Sequence, residues 1–376
     1  MKSPGAGLAF VTASLIVAYA SAQTISDTSR DQLIGPVHTA QVVLAEITTI
    51  NGKEVETGRR THQRVVYDRR GNEIERINYG GGSIENRTVH IIDANGRVSG
   101  WKEYEVVADG RGERLTSWSE WLYDKMGNRV EARVYRDGNL THRTIATYNA
   151  AGLIIEETII TDGGAWKQSK KYSYDSNGRR TRTLANTNGT IELIEEAYND
   201  AGKLISYKYS GPGGQGDSVV RYGYDAEGRE VEREGEDSIA KSKVVVSYDS
   251  GGRVLRRVTQ FEYKRPNISM SHAPEPGAVE FRYNENNKLV EESAYSAEGA
   301  LRRRTVSEYD GGGRMRSQTY FNGDGVVVGK AIYEYDGWGN RVKTLNIGAD
   351  HKGKTATHVE YRLVTYYDEK RQQYPL

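Results

Sequence analysis

Three tryptophans are the side chains whose type and spacing most suggest ligand chemistry. Trp101, Trp118 and Trp121 lie close together in one stretch of the chain. Sugar rings stack well on exposed aromatic faces, so this cluster makes the three residues the candidate binding site, with carbohydrate as the ligand. The simpler interpretation is that the rings cover a sheet surface and bind nothing. Both interpretations stay open from the sequence.

The other residue types that support chemistry form no recognisable constellation. The chain has 7 histidines and no cysteine, and no two histidines have the H-E-x-x-H spacing of a zinc site. Without cysteine there is no thiolate nucleophile or zinc thiolate. Among 51 acidic residues, the sequence cannot nominate a pair for glycoside cleavage, because that pair is defined by its separation in space. We therefore predict no catalytic residue, no metal site and no cofactor.

Composition narrows the class of partner. The 52 basic and 51 acidic residues leave a net charge of +1, so the chain lacks the basic excess of a nucleic-acid-binding protein, and we predict no nucleic-acid partner. Hydrophobic residues make up only 36%, and 26 residues are tyrosine. A tyrosine ring can cover a sheet while its hydroxyl stays hydrated, so the composition favours a solvated sheet over a thick core.

The elements that must position these side chains follow from an internal repeat. A short segment, tyrosine followed by Asp or Asn and then by glycine as its fifth residue, recurs through the chain. It begins at twelve positions: Tyr67, Ile92, Tyr123, Tyr148, Tyr174, Tyr198, Tyr224, Tyr248, Tyr283, Tyr309, Tyr335 and Tyr367. Repetition at a period of 20 to 50 residues indicates a repeat architecture.

Each segment is typical of a β-hairpin turn. Asp or Asn at the start of a type I turn accepts hydrogen bonds from the following backbone, and glycine three residues later adopts the left-handed conformation that closes the hairpin. Asn287 can take the glycine position and Arg371 cannot, so we expect a frayed last repeat. The predicted structural turn residues are Asp68, Gly71, Asp124, Gly127, Asp175, Gly178, Asp225, Gly228, Asp336 and Gly339.

Flanking residues alternate between apolar and polar, as in strands; Tyr172 and Tyr174 fall on one face, Lys171 and Ser173 on the other. The predicted fold is all-β: an elongated antiparallel meander of about 24 strands, built from tandem β-hairpins in a curled or spiralled sheet. The two ends of such a meander are edge strands that need protection from unwanted pairing. We expect Val37–Thr49 and Lys53–Val66 to form a hairpin that caps the first edge.

The start of the chain predicts export. Lys2 precedes an apolar stretch from Leu8 to Ala20, and Ala20-Ser21-Ala22 is a cleavage motif ahead of Gln23. The predicted organisation is a signal peptide over residues 1–22, an N-terminal leader and capping hairpin over 23–66, and a repeat domain over 67–376. No later segment is apolar enough for a membrane-spanning helix, so we predict no integral membrane segment after cleavage.

The repeat resembles the YD repeat of bacterial Rhs-type proteins, as in Tyr67-Asp68-Arg69-Arg70-Gly71-Asn72. The resemblance covers about Tyr67 to Tyr367 and implies β-hairpins laid side by side in a curling sheet. In large members that sheet forms a shell around a C-terminal toxin, and some members are thought to bind carbohydrate. This chain has no Asp-Pro pair and only nine residues after Tyr367, so the resemblance extends to the repeat region and not to a toxin domain.

These observations lead to one functional hypothesis and two alternatives. We expect an exported bacterial scaffold, periplasmic, cell-surface or secreted, that is not an enzyme and binds a cell-envelope carbohydrate or another protein. The first alternative is a fragment or accessory of an Rhs-type toxin-delivery shell. The second is a carbohydrate-active enzyme with an unrecognised carboxylate pair. The sequence does not determine the oligomeric state.

Overall fold

Antiparallel β-strands account for nearly all regular structure in the computed structural model, which describes residues 27–50, 53–107, 112–214, 216–264, 276–349 and 355–367. One short helix, α1 (Asp27–Arg30), precedes the strands, and 3-10 turns lie at Asp162–Gly164 and Pro212–Gly214. The prediction of an all-β chain is confirmed. The predicted signal peptide over 1–22 and Arg371 lie outside the described residues.

The strands run from β1 to β24 in chain order. Their bounds are β1 Val37–Ile50, β2 Lys53–Tyr67, β3 Glu73–Gly80, β4 Ser83–Ile92, β5 Val98–Val106, β6 Glu113–Tyr123, β7 Arg129–Arg136, β8 Asn139–Tyr148, β9 Ile154–Thr161, β10 Trp166–Tyr174, β11 Arg180–Thr187, β12 Thr190–Tyr198, β13 Leu204–Ser210, β14 Ser218–Tyr224, β15 Glu230–Asp237, β16 Ala240–Tyr248, β17 Val254–Tyr263, β18 Gly277–Tyr283, β19 Leu289–Ser296, β20 Leu301–Tyr309, β21 Met315–Asn322, β22 Val327–Tyr335, β23 Arg341–Ala349 and β24 Thr355–Tyr366.

Contacts divide the chain into two units. Unit 1 holds β9 to β15 with parts of β8, β16 and β17. From β9 to β16, each strand pairs antiparallel with the next strand in sequence. Unit 2 holds β1 to β7 and β18 to β24. We call β1 to β7 the first run and β18 to β24 the second run. Within each run, every strand pairs antiparallel with the next strand in sequence.

The two runs of unit 2 meet at a pairing that the sequence did not predict. β1 pairs antiparallel with β24 as well as with β2, and Ala40 lies opposite Val364 in this pairing. The strands belong to one 24-stranded sheet, so pairing of the first strand with the last closes that sheet on itself. The predicted open sheet, curled or spiralled with free edges, is therefore wrong. So is the capping role of the β1–β2 hairpin, because β1 has partners on both sides.

The repeated segments form the hairpin turns. In the first, the amide of Asp68 donates to the carbonyl of Asn72 at 2.8 Å and the amide of Gly71 donates to the carbonyl of Asp68 at 3.0 Å. Glycine at the fifth position of each repeated segment has a positive φ, as at Gly127 with φ 89°, and Asn287 takes the same conformation with φ 59°. The turn is closed by residues for which the left-handed region is accessible.

The side chain of the Asp or Asn that follows the repeat tyrosine accepts hydrogen bonds from backbone amides of its own turn. Oδ1 of Asp124 accepts from the amides of Met126 and Asn128 at 2.9 and 2.8 Å, and Oδ2 accepts from the Asn128 side chain. Asn149 and Asn284 make the same backbone contacts. Hydrogen bonds from Asn128 hold the pKa of the Asp124 carboxyl below its usual range, because they favour the charged form.

The repeat tyrosines join neighbouring repeats. The hydroxyl of a repeat tyrosine donates to the carbonyl at the start of the strand that follows the previous turn, which is the neighbouring strand in the sheet. Tyr174 donates to Ile154, Tyr224 to Leu204, Tyr309 to Leu289 and Tyr335 to Met315, at 2.6 to 2.8 Å. At these positions the hydroxyl donates to a backbone carbonyl, a role that was not predicted from the sequence. Burial raises the pKa of each of these tyrosines, so the hydroxyl stays protonated and able to donate.

The most deeply buried cluster lies in unit 2, where β1, β2 and β24 meet the residues before β1. Leu33, Val37, Ala40, Val65, Tyr67 and Val364 pack together, with Tyr366 beside them. Tyr67 is 1% exposed and Val37 is 2% exposed. Apolar packing is therefore concentrated at the junction of the first and last strands, where no turn connects the two strands.

Candidate binding site

A polar cavity lies at the hairpin ends of β4 to β7 in unit 2. Its volume is about 570 Å³, within the range that holds small ligands. The lining side chains combine carboxylates, guanidiniums, hydroxyls and one amide: Glu85, Asn86, Glu103, Glu105, Val106, Arg114, Thr116, Ser117, Arg136 and Asp137. We call this group the hairpin-end cavity.

Hydrogen bonds already orient part of the cavity wall. The hydroxyl of Ser117, which is 4% exposed, donates to Oε2 of Glu103 at 2.7 Å. The Asn78 amide donates to Oδ1 of Asn86 at 2.8 Å, which directs the Asn86 side-chain nitrogen away from that contact. The wall therefore offers the Glu103 carboxylate as an acceptor held by Ser117 and an amide with a donor to spare.

The rim of the cavity carries charges of both signs. Arg114 and Glu105 pair at 3.3 Å, with side chains 64% and 57% exposed, so their attraction is screened by water and adds little to stability. Arg136 and Asp137 follow on the next hairpin, where Asp137 and Gly138 have φ values of 46° and 83°. A ligand can displace the weak Arg114–Glu105 pair at small cost.

Strand register decides which tryptophans share the cavity face. Trp101 lies opposite Ser119, and Glu103 lies opposite Ser117. Because side chains alternate along a strand, Trp101, Glu103 and Ser117 lie on one face, and Trp121 joins them through Ser119. Trp101 is two residues from Glu103, about 7 Å along the strand. Two of the three predicted tryptophans are thus on the face of the cavity, although neither lines it.

The third tryptophan lies on the opposite face. Trp118 pairs with Lys102 and with Tyr135, and its ring stacks on Tyr135 with centroids 4.8 Å apart and planes 9° apart. Alternation separates it from Ser117 and hence from the cavity. The predicted cluster of three tryptophans is therefore split between two faces, and no single ligand ring can contact all of them there.

A second cavity, of about 460 Å³, lies beside the residues that precede β1. Residues 33–37 supply its apolar wall, with Leu33 and Ile34 among them, and the first turn contributes Asp68, Arg69, Arg70 and Gly71. The Asp68 carboxylate is already engaged by its own turn, and the Arg69 guanidinium lies 4.8 Å from the centre of the Tyr367 ring. This cavity adjoins the buried cluster of unit 2.

The structure places each predicted turn residue at a hairpin turn. Asp68, Asp124, Asp175, Asp225 and Asp336 accept backbone hydrogen bonds from residues two and four positions later. Gly71, Gly127, Gly178, Gly228 and Gly339 have positive φ. These residues shape the strands that carry the cavity and do not line it, apart from Asp68 and Gly71 at the second cavity.

Neither a metal site nor a membrane-spanning helix occurs among the described residues. There, no group of three or more acidic or histidine side chains is placed to hold a metal ion. In the same part of the chain, no helix is long and apolar enough to cross a bilayer.

The cavity residues carry no sequence signal of their own. Glu103, Ser117 and Arg136 come from three strands and converge only through register. Each sits in a strand rich in charged and polar residues, like most strands of this chain. The repeat spacing could have indicated that they lie near one end of adjacent hairpins, but it does not distinguish them from equivalent residues in other repeats.

Comparisons with known proteins add similarity without a function. A family model described as "Uncharacterised protein" matches residues 102–210, which is less than half of the chain. No curated protein matches. The chain is similar to the crystal structure of TcdB2-TccC3, with a TM-score of 0.45 and 14% identity over 86% of this chain and 20% of that chain. The chain thus spans about a fifth of that relative's length.

Two porin-like proteins are also similar. The one from Bacteroides uniformis has a TM-score of 0.22 and 10% identity, covering 88% of this chain and 98% of that chain. The one from Bacteroides vulgatus has a TM-score of 0.15 and 12% identity, covering 69% and 95%. Similarities this low imply nothing about function. Membership of the Rhs-type family stays a prediction from the repeat.

Proposed function

We propose that the chain is an exported, non-enzymatic β-sheet scaffold that binds a carbohydrate of the cell envelope at the hairpin-end cavity. The observation that carries this proposal is the lining of that cavity: fixed carboxylates, guanidiniums, hydroxyls and an amide around about 570 Å³. The predicted signal peptide over residues 1–22 supports the exported location.

The chemistry of the cavity suits a ligand rich in hydroxyl groups. Each sugar hydroxyl both donates and accepts, so it needs acceptors and donors within the same small space. Glu103 and Glu105 supply acceptors, and Arg136 and the Asn86 amide supply donors. Ser117 fixes the Glu103 carboxylate before a ligand arrives, which lowers the entropy lost on binding.

Trp101 extends the site along the sheet. It shares the face of Glu103 at the next same-face position of β5. An oligosaccharide with one sugar in the cavity would place its next ring, about 7 Å further along β5, over the Trp101 side chain. The proposal therefore favours a glycan of at least two residues over a monosaccharide.

The test is a binding screen of bacterial envelope glycans against the chain Gln23–Leu376, with and without cavity substitutions. The double variant Glu103→Gln and Arg136→Gln removes both charges and leaves a polar amide at each position, so we expect at least a tenfold loss of affinity with an unchanged circular dichroism spectrum. A matched control is Glu120→Gln, on the other face of β6 and exposed, which should bind normally.

Three results would contradict the proposal. The first is no binding to any glycan in the screen. The second is equal binding by the double variant, which would place the site elsewhere. The third is cleavage of a bound glycan that Glu103→Gln abolishes, since that would make the chain a carbohydrate-active enzyme. Capture of an envelope protein without glycan binding would support the scaffold and overturn its carbohydrate ligand.

A further inference from the structure

The pairing of β1 with β24 is the one junction between the two runs of unit 2, and no hairpin turn connects those strands. Residues 27–36 occupy the end of this pairing. We call residues 27–36 the latch and the β1–β24 pairing the seam. The latch contacts the first repeat turn on one side and the turn at residues 336–340 on the other.

Asn340 connects the turn at residues 336–340 to the latch by hydrogen bonds. Its Oδ1 accepts from the amide of Ile34 at 2.6 Å, and its Nδ2 donates to the carbonyl of Ile34 at 2.9 Å. The same Nδ2 contacts the Tyr366 hydroxyl at 2.6 Å. Asn340 is 1% exposed, and removal of its side chain would take away both hydrogen bonds to the Ile34 backbone.

Gly35 fits beneath the Trp338 ring. A Cβ on Gly35 would lie 2.8 Å from Cε3 of Trp338, and φ at Gly35 is +91°. Both the conformation and the space therefore exclude a side chain. The Trp338 ring in turn stacks on Tyr366 at the end of β24, with centroids 5.5 Å apart. The latch, the turn at residues 336–340 and the end of β24 are thus packed against one another.

The first turn holds the other end of the latch. The amide of Thr28 donates to the carbonyl of Gly71 at 3.0 Å, and the amide of Glu73 donates to Oδ2 of Asp27 at 2.7 Å. The Tyr67 hydroxyl donates to Asp31. Elsewhere a repeat tyrosine bonds the carbonyl at the start of the preceding strand, whereas at Tyr67 the acceptor is a carboxylate of the latch.

Tyr367, which follows β24, also makes hydrogen bonds across the seam. Its hydroxyl donates to the carbonyl of Tyr67, and its amide donates to the carbonyl of Pro36 at 3.0 Å. The rest of the last repeated segment, with Arg371, lies outside the described residues. A tyrosine hydroxyl thus donates to a backbone carbonyl at the seam as it does between other strands. The seam itself is held only by noncovalent contacts, whereas strands that are consecutive in sequence are also joined by the chain.

We propose that the latch is a releasable closure: its docking keeps the seam shut, and its release opens β1 from β24 while the rest of the sheet stays folded. Opening would expose two strand edges with unpaired backbone groups, which are ready partners for another strand. The latch would thereby control access to the pairing of the first strand with the last. This inference is independent of the carbohydrate proposal.

A cysteine-free chain allows a direct test. Ala40 is 5% exposed at the seam, and Ala185 is 8% exposed in unit 1. Each is replaced by cysteine in a separate protein, and the rate of thiol labelling is measured with and without Gly35→Ala. We expect the latch substitution to raise labelling at position 40 at least tenfold and to leave labelling at position 185 within twofold.

A second latch substitution and a seam lock keep the test decisive. If Gly35→Ala gives no folded protein, Asn340→Ala is used, since it removes the latch contacts without a clash. Replacing both Ala40 and Val364 by cysteine, which lie opposite each other, should form a disulfide across the closed seam, and Gly35→Ala should slow its formation because it separates the two strands. Unchanged labelling at position 40, or an equal rise at position 185, would overturn the proposal, because the latch would then be inert or would stabilise the whole fold.

Discussion

The hydroxyl of Tyr123, at the end of β6, donates a 2.7 Å hydrogen bond to the backbone carbonyl of Val98, at the start of the neighbouring strand β5. The Arg97 guanidinium lies 4.5 Å from the centre of the same ring. One repeat thus holds the next through a hydrogen bond and a cation–π contact. This relationship explains why tyrosine recurs at this position, since phenylalanine would cover the sheet equally well but could not donate.

Tyr123→Phe should destabilise the chain by about 1 kcal/mol, the usual net value of one intramolecular hydrogen bond. Burial raises the pKa of Tyr123, so the hydroxyl is a donor at every pH near neutrality. The measurement is the free energy of unfolding in urea. Tyr104→Phe is the control, because the Tyr104 ring packs under Arg87 and that contact survives the change. Equal losses from both substitutions would contradict the role assigned to the Tyr123 hydroxyl.

Gly127→Ala should cost about 1 to 2 kcal/mol, because φ at Gly127 is +89° and alanine is strained in the left-handed region. Gly311→Ala is a matched control in another turn. Gly311 does not have a positive φ, and no atom lies within 4 Å of a Cβ placed there, so the change should be neutral or slightly stabilising. The measurement is the thermal unfolding of both variants, compared with that of the original chain. A harmless Gly127→Ala would mean that the turn does not need this conformation.

Acid should weaken the turns that carry aspartate. Backbone hydrogen bonds from Arg97, Arg179, Arg253 and Arg314 lower the pKa of Asp93, Asp175, Asp249 and Asp310. A carboxyl with a lowered folded-state pKa contributes stability above its unfolded pKa, about 4, and that contribution is lost as pH falls through the folded value. We expect stability to be flat from pH 7 to about 5 and to decline below about 4.

Asp124→Asn should reduce that acid dependence while preserving the turn. Asparagine holds the equivalent turns at Asn149 and Asn284, and the Asn128 amide can rotate to accept a bond from the new side chain. Urea unfolding at pH 7 and pH 3 gives the two values to compare. A variant whose stability falls as steeply as that of the original chain between these values would show that Asp124 does not take part.

Export should depend on residues 1–22. When the full chain is expressed in a Gram-negative host, we expect exported protein whose N-terminal residue is Gln23, because Ala20-Ser21-Ala22 fits a signal-peptidase site. Ala22→Leu should block cleavage and leave a larger product. Cytoplasmic retention of the original chain, shown by cell fractionation and N-terminal sequencing, would contradict the predicted location.

Much of the sheet was predictable because its determinants are local. Asp at one position and glycine three residues later specify a turn, and alternation specifies the strand that follows; both act within a few residues. The closure was not predictable in this way. Pairing of β1 with β24 depends on residues more than 300 positions apart in sequence, such as Ala40 and Val364, and nothing in either strand distinguishes a partner from an exposed edge.

The candidate site shows the same limit. The tryptophans at 101, 118 and 121 are visible in the sequence, but the face of each ring depends on alternation and on a register shift beside Glu103 and Tyr104. That shift puts Ser117 opposite Glu103. The cavity then arises from charged residues that look like ordinary solvated strand positions, so no residue type singled them out.

The most direct test of the account compares Trp101→Ala and Trp118→Ala in glycan binding by isothermal titration. Both are partly buried tryptophans of one hairpin, but only Trp101 shares the face of Glu103 and the cavity. We predict that Trp101→Ala weakens binding of an oligosaccharide at least tenfold and that Trp118→Ala leaves it within twofold. Equal losses, or a larger loss from Trp118→Ala, would contradict a binding site at the hairpin-end cavity.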